Sequence, residues 1–344
     1  MQNDDVWYFI NPPYAKEPDT RIEYIFDIIS GKTAGYYNNY TFIEFAKKFE
    51  EDEDAINSVW QDVKNCFRII MEWYSDQQLF HLIGFLTSSK SGVTVSKLIK
   101  VYFSENYKKS EFRDYVVLQI QHYFKDTDIE SLTYESTSSY DRYRIKDILL
   151  LFNVITVMNK SSAYSRFPFD SYNKNAWSLE HIHAQNTEGM GNSKELWIAW
   201  IDEHLKSFKQ FQGEAYKSLV EILENIDRES ITKDIFDDLF IEISKMIEED
   251  FGIDLHNIDN LALLDITANS SISNNFFDVK RSMIIEKDRN GEFIPVCTRN
   301  VFLKYYSEDP SQIHYWSKTD RRNYLEAIKK TISPYMIQEV DKYE

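Results

Sequence analysis

Only two cysteines, Cys66 and Cys297, occur in the 344 residues. They are too few and too far apart for a disulfide framework or a zinc knuckle, and both read as core residues. Any metal site must therefore draw on His, Asp, Glu or Asn. Glycine is scarce, at nine residues. No Gly-x-x-x-x-Gly-Lys run or Gly-rich loop is present to cradle a phosphate, so the chain itself is expected to bind no nucleotide. No run of about 18 uncharged apolar residues appears. The longest apolar stretch, Ile148 to Met158, is interrupted by Asn153 and Thr156 and reads as a buried helix. Met1 is followed by Gln2, Asn3, Asp4 and Asp5 rather than by a basic segment and an apolar one. The expectation is a cytoplasmic protein with neither a secretory signal nor a membrane span.

Positive charge is also short. The net charge of −17 argues against a broad nonspecific nucleic-acid surface. The charge is unevenly spread, with 17 acidic against 6 basic side chains over residues 195–259, and 11 basic against 8 acidic over 276–330. A chain of this composition that meets DNA would use the later segment. The acidic one would face away or mask the site.

What is present is apolar and aromatic, at 43% hydrophobic and 15% aromatic residues, enough for one large or two medium globular domains. Apolar residues at helical spacing mark Arg21 to Ser30 (Ile22, Ile25, Phe26, Ile29) and Val59 to Tyr74 (Val59, Trp60, Val63, Phe67, Ile70, Met71, Tyr74). Leu79 to Thr87, Val93 to Phe103, Phe112 to Phe124 and Ile145 to Asn159 follow the same pattern. Residues 1–160 thus read as a helical domain with an aromatic-rich core. Ser161 to Asn175 reads as a loop around Pro168. Ala176 to Ala184 reads as a short strand. Helical periodicity returns from Lys194 to about Asp250, forming an acidic helical insertion at about 190–256. Asn257 to Asp265 reads as a second strand, Ser270 to Ile285 as a helix, Asn290 and Gly291 as a turn, and the remainder as helical to about Ile337. The fold expected is mainly α: a helical bundle, plus a small α+β unit over residues 161–344 with a helical insertion.

The chemistry-bearing residues fall in that second half. Glu180, His181 and His183 lie on the first strand. Asn260, Leu261 and Leu263 lie on the second. Asn269, Asn274, Lys280 and Arg281 follow. A bare His-x-His pair is weak, since it occurs in zinc hydrolases and by chance. The order acid-His strand, Asn-Leu-x-Leu strand, then a helix with Asn and Lys is more telling. Phosphodiester hydrolysis with one Mg²⁺ needs hard oxygen ligands and open water positions. It also needs a base that ionises near neutrality, which histidine supplies, and a cation near the phosphate.

On these residues the chain resembles the HNH (ββα-metal) nucleases. More narrowly it looks like the C-terminal region of the GmrSD-type modification-dependent restriction proteins. Glu180-His181-Ile182-His183-Ala184-Gln185-Asn186, Asp259-Asn260-Leu261-Ala262-Leu263-Leu264, Asn269, Asn274 and Phe277-x-x-Lys280-Arg281 carry the resemblance. Gly291 to Pro295, Asn300 to Tyr306, Trp7 to Pro12 and Arg21 to Phe26 add to it. The resemblance departs where Ala184 replaces a common Pro and Glu180 a common Asp.

The resemblance implies a metal-dependent DNA endonuclease, the effector of a restriction or antiphage defence system, using one Mg²⁺ or Mn²⁺ per site. It implies that His181 activates water and that Glu180 and Asn269 bind the ion. Asn260 would fix the hairpin structurally, and Asn274, Lys280 and Arg281 would contact nucleic acid. His183 stays open between a second ligand, a phosphate contact and a structural donor. The ParB-like NTPase domain of fused members would end where this chain begins. A separate or preceding NTPase-like sensor, together with DNA (possibly modified phage DNA in such systems), are therefore the partners implied. Two alternatives remain beside this reading. One is a zinc hydrolase using His181 and His183 with His204 or His256. The other is a non-catalytic partner-binding subunit.

Overall fold

The computed structural model describes residues 5–10, 20–33, 35–36, 39–52, 54–135, 139–160, 165–183, 193–209, 214–249, 256–267, 275, 277–307, 316 and 318–337. These residues are mostly helical, with one two-stranded antiparallel sheet. Among them no helix is long and apolar enough to cross a membrane. The chain divides into two compact units. One holds Met1–Thr127, Leu150–Lys174 and Thr331–Glu344, and the other Asp128–Leu149 and Asn175–Lys330. The chain passes between these units four times, after residues 127, 149, 174 and 330, and residues 128–149 group with the strand pair.

In the first unit the helices start and stop where local chemistry demands. Thr20 accepts the Glu23 amide at 3.2 Å to open Arg21–Ser30, and Gly31 at φ 76° closes it. Asp76 accepts the Leu79 amide at 2.9 Å to open Gln77–Ser88. The Ala55–Ser75 helix buries Val59, Val63, Cys66, Ile70 and Trp73 on one stripe. Trp60 is exposed, because it stands about 100° around the helix from Val59. Ile22 is exposed in the first turn of its own helix. Trp73 stacks on Phe112 with centroids 5.1 Å apart.

The expected loop at 161–175 contains a helix, Phe169–Lys174. Phe169 and Tyr172, three apart, are both buried. Phe169 packs against Gly84, where any Cβ would strike its ring. Close packing of two aromatics overrides the turn-rich composition there. Both cysteines are buried, and burial pushes the Cys66 thiol up to about 12, so it is inert.

In the second unit, strand β1 (Trp177–His181) pairs with strand β2 (Leu261–Asp265), with Glu180 opposite Ala262 and His181 opposite Leu261. Residues Leu261 to Leu264 are all buried, which a short continuous apolar run favours. The second strand is shorter than expected, because Ile258–Asn260 makes a 3-10 turn before it. The helix expected from Ser270 is seen as Phe277–Arg289, and residues 270–274 lie outside the described ones. The acidic insertion forms helices Lys194–Phe208, Glu214–Asn225 and Lys233–Glu249. They close on a core of Trp197, Trp200, Leu223, Phe236 and Phe240.

Candidate functional site

The site is built where β1 ends. Carbonyls of β2 are satisfied from outside the sheet, Leu263 by the Thr298 hydroxyl at 2.6 Å and Leu261 by the Tyr324 hydroxyl at 3.2 Å. Asn260 closes the hairpin from a fully buried position. Its Oδ1 accepts the His183 amide at 2.9 Å, and its own carbonyl accepts the Ile182 amide at 2.8 Å. The preceding Asp259 is held by Arg321 at 2.5 Å, while its carbonyl accepts from the Trp316 indole at 3.1 Å. The turn before β2 is thereby rigid on both sides.

Glu180 is buried and its Oε1 lies 2.5 Å from Lys280 Nζ, which is itself fully buried. The same ammonium donates to the His181 carbonyl at 2.5 Å. Burial pushes the Glu180 carboxyl up and the Lys280 ammonium down, each opposed by the attraction of the other. Lys280 thus stands inside the unit, on Glu180, and not on the solvated phosphate-facing surface expected of it. The physical reason is that Glu180 is itself buried, and a buried carboxylate requires a counter-charge. Arg281, the next residue, is half-buried, and its Nε has no hydrogen-bond partner among the described residues.

His181 is half-buried at the end of β1. Its Nε2 is shielded from water and has no hydrogen-bond partner among the described residues. Burial, then the charges of Lys280 and His256, push the ring down to about 3, so it is neutral at neutral pH. Two rings stand edge-on to it: Tyr134 with centroids 4.7 Å apart and His256 at 6.0 Å. They are brought there by an antiparallel bridge between Thr133 and Asn257, with the Tyr134 amide donating to the His256 carbonyl at 2.9 Å. His256 Nε2 also lies 2.7 Å from Oε1 of Glu135.

His183 is almost wholly buried, and burial followed by Lys280 and Arg321 pushes it down to about 3. His204 is buried in the acidic insertion, where Nδ1 donates to the Trp200 carbonyl at 2.7 Å and the ring stacks on Trp200. Burial pushes it down to about 3. Among the described residues no three His, Cys, Asp or Glu side chains gather as a metal site. The histidines weighed for zinc, His181, His183, His204 and His256, therefore do not converge on one ion.

Glu180 offers the hard oxygen a Mg²⁺ ion prefers, and His181 Nε2 beside it is an orphaned buried polar atom. An ion reaching that carboxylate would have to replace Lys280. Asn269 and Asn274, expected as ligand and substrate contact, lie outside the described residues.

Sequence reasoning passed over Tyr134 and Glu135, and weighed His256 only for zinc. The only local trace is a Thr133-Tyr134 pair of strand-favouring residues inside a turn-rich segment. No family model, no curated protein and no solved structure matches the chain.

Proposed function

We propose that this chain is a metal-dependent DNA endonuclease of the ββα type, with His181 as general base, serving as the effector of a restriction or antiphage defence system. The observation that carries this reading is the place of His181 at the end of β1, beside buried Glu180, with a shielded Nε2 that has no hydrogen-bond partner among the described residues. It stands at the end of a strand paired to β2 and tied through Lys280 to the following helix. A buried nitrogen left without a partner among the described residues is expected where a reacting water is to be bound.

In this reading His181 takes the proton of the attacking water. Glu180, once an ion displaced Lys280 from it, and Asn269 would hold a Mg²⁺ or Mn²⁺ ion, which would offset the charge of the phosphate. Arg281, half-buried with an Nε unsatisfied among the described residues and directly after Lys280, is the cation assigned to the phosphate. Asn260 keeps the hairpin shut and touches no substrate. An NTPase-like sensor remains the implied partner.

The test is incubation of the purified chain with plasmid DNA and with modified phage DNA, in Mg²⁺ or Mn²⁺, beside His181→Ala. Cleavage should fall by about 10²–10⁴-fold in the variant and disappear with chelator. Undiminished cleavage by a folded His181→Ala protein would overturn the assignment.

A further inference from the structure

We propose that the exposed pair Ile56 and Trp60, with the acidic border beside it, is a docking face for a basic amphipathic helix of a partner protein. The proposal is independent of the nuclease reading, because every residue it uses lies in the unit that holds Met1–Thr127.

Three helices of that unit, Arg21–Ser30, Tyr40–Glu51 and Ala55–Ser75, pack on one another. Fifteen large apolar side chains are exposed among the described residues, and five of them, Ile22, Tyr36, Phe42, Ile56 and Trp60, fall within residues 22–60. Exposure is therefore concentrated on these helices, whereas apolar residues scattered singly over a surface need no partner. The Tyr40–Glu51 helix has an apolar residue at half of its positions, yet none of them is buried. Its Phe45 meets Phe26 edge-on with centroids 5.5 Å apart, so the helix is seated on its neighbour and still leaves apolar surface in water.

Ile56 and Trp60 are one helical turn apart and stand on the same face. Helix geometry carries the residue after Val59 off the buried stripe, but it does not call for a tryptophan there. Of the chain's seven tryptophans, Trp60 alone is more than half exposed. An exposed tryptophan beside an aliphatic residue is the kind of anchor on which protein interfaces concentrate their binding energy.

Charge selects the occupant. Residues 44–62 hold seven acidic side chains and two basic ones. Glu50, Glu51, Asp52 and Asp54 are exposed just ahead of Ile56, and one of the two lysines, Lys47, already faces Glu44 at 3.4 Å. Such a border repels nucleic-acid phosphates and anionic lipid surfaces. A second copy of the chain would bring the same acids against themselves across a twofold axis. A segment rich in Lys and Arg meets opposite charge instead. Its form follows from the surface it meets. A helix presents no unpaired backbone edge for strand addition, so side chains must make the contact. Residues four apart form a ridge that fits the groove of a second helix.

The experiment titrates the full chain into a fluorescent peptide of about 18 residues, five helical turns, with Leu on one face and Lys on the other, read by anisotropy at low salt. The wild-type chain should bind it in the micromolar range. Ile56→Ser/Trp60→Ser, at exposed positions, should weaken binding at least about 10-fold with the melting temperature unchanged. Glu50→Lys/Asp54→Lys should weaken it about 3–10-fold, and added salt should weaken it for the wild type. A shuffled peptide of the same composition, with no apolar face, should bind at least about 10-fold less tightly. Equal affinity of the wild type and the serine double variant would place the peptide elsewhere and overturn the proposal, as would no binding at about 100 μM. Sedimentation showing wild-type dimers that the serine variant abolishes would assign the face to a second copy and overturn it. Capture of the wild type, but not that variant, by phosphatidylserine vesicles would assign it to a membrane with the same result.

Discussion

Lys280 Nζ sits 2.5 Å from Oε1 of Glu180 with neither side chain reaching water, and it also holds the carbonyl of His181. One ammonium therefore ties the helix Phe277–Arg289 to the strand end that carries the candidate base. Removing it leaves a buried carboxylate without a counter-charge. Lys280→Ala should lower unfolding free energy by about 3–5 kcal/mol, measured by denaturant titration. The double variant Glu180→Leu/Lys280→Met should recover much of that loss, because neither charge is then left alone. A double variant as unstable as the sum of its singles would show that the pair is not coupled.

Asn260 closes the same hairpin from the other side. Asn260→Ala deprives the buried His183 amide of its acceptor and should cost about 1–3 kcal/mol. Hydrogen exchange at the His183 amide should accelerate in the variant, while amides in the middle of β2 keep their protection. No change at His183 would mean that another group accepts that hydrogen.

His81 in the helical unit makes acid stability testable away from the candidate site. Its Nε2 accepts the Phe167 amide at 3.1 Å, so the ring is neutral and Nδ1 donates to the Gln77 carbonyl at 2.6 Å. Burial pushes it down to about 4 from an ordinary 6.5. The unfolded chain takes up the proton first, so the contribution of the neutral ring is fully present above pH 6.5 and is lost as pH falls toward 4. Wild-type stability should decline by up to about 1.4 kcal/mol per pH unit from this one group. Melting curves between pH 7 and 4.5 should be flatter for His81→Gln by that share; identical slopes would refute the assignment.

Gly84 lies against the ring of Phe169, with no room for a side chain. Gly84→Ala should destabilise by about 1–3 kcal/mol through overpacking, even though alanine is the better helix former. Pairing it with Phe169→Leu should be less costly than the separate effects add up to. A Gly84→Ala protein as stable as wild type would mean that the ring swings aside freely.

Much of the helical architecture was readable from periodicity. Val59, Val63, Cys66 and Ile70 recur at helical spacing and form a buried stripe in the Ala55–Ser75 helix. The two strands stood out as short apolar runs between turn formers. The misreadings have local causes. Trp60 is apolar but one step from Val59, and periodicity alone does not fix the edge of a stripe. Phe169–Lys174 hid behind Pro168, whose carbonyl in fact accepts the first helical bond from Tyr172 at 3.0 Å.

The sequence by itself determined which segments become helix and strand, and the order in which Glu180, His181, Asn260 and Lys280 arrive along the chain. Those properties depend on neighbours within a few residues, or on residue identity alone. Only the tertiary structure decided that Lys280, a hundred residues from Glu180, turns inward to it rather than outward to a ligand. It also decided that Tyr134 and His256 stand edge-on to the His181 ring, with Glu135 on His256. The reason is that such contacts depend on which surfaces are withdrawn from water together. A buried carboxylate draws its counter-charge from whatever element packs over it, and no local pattern in the chain names that element.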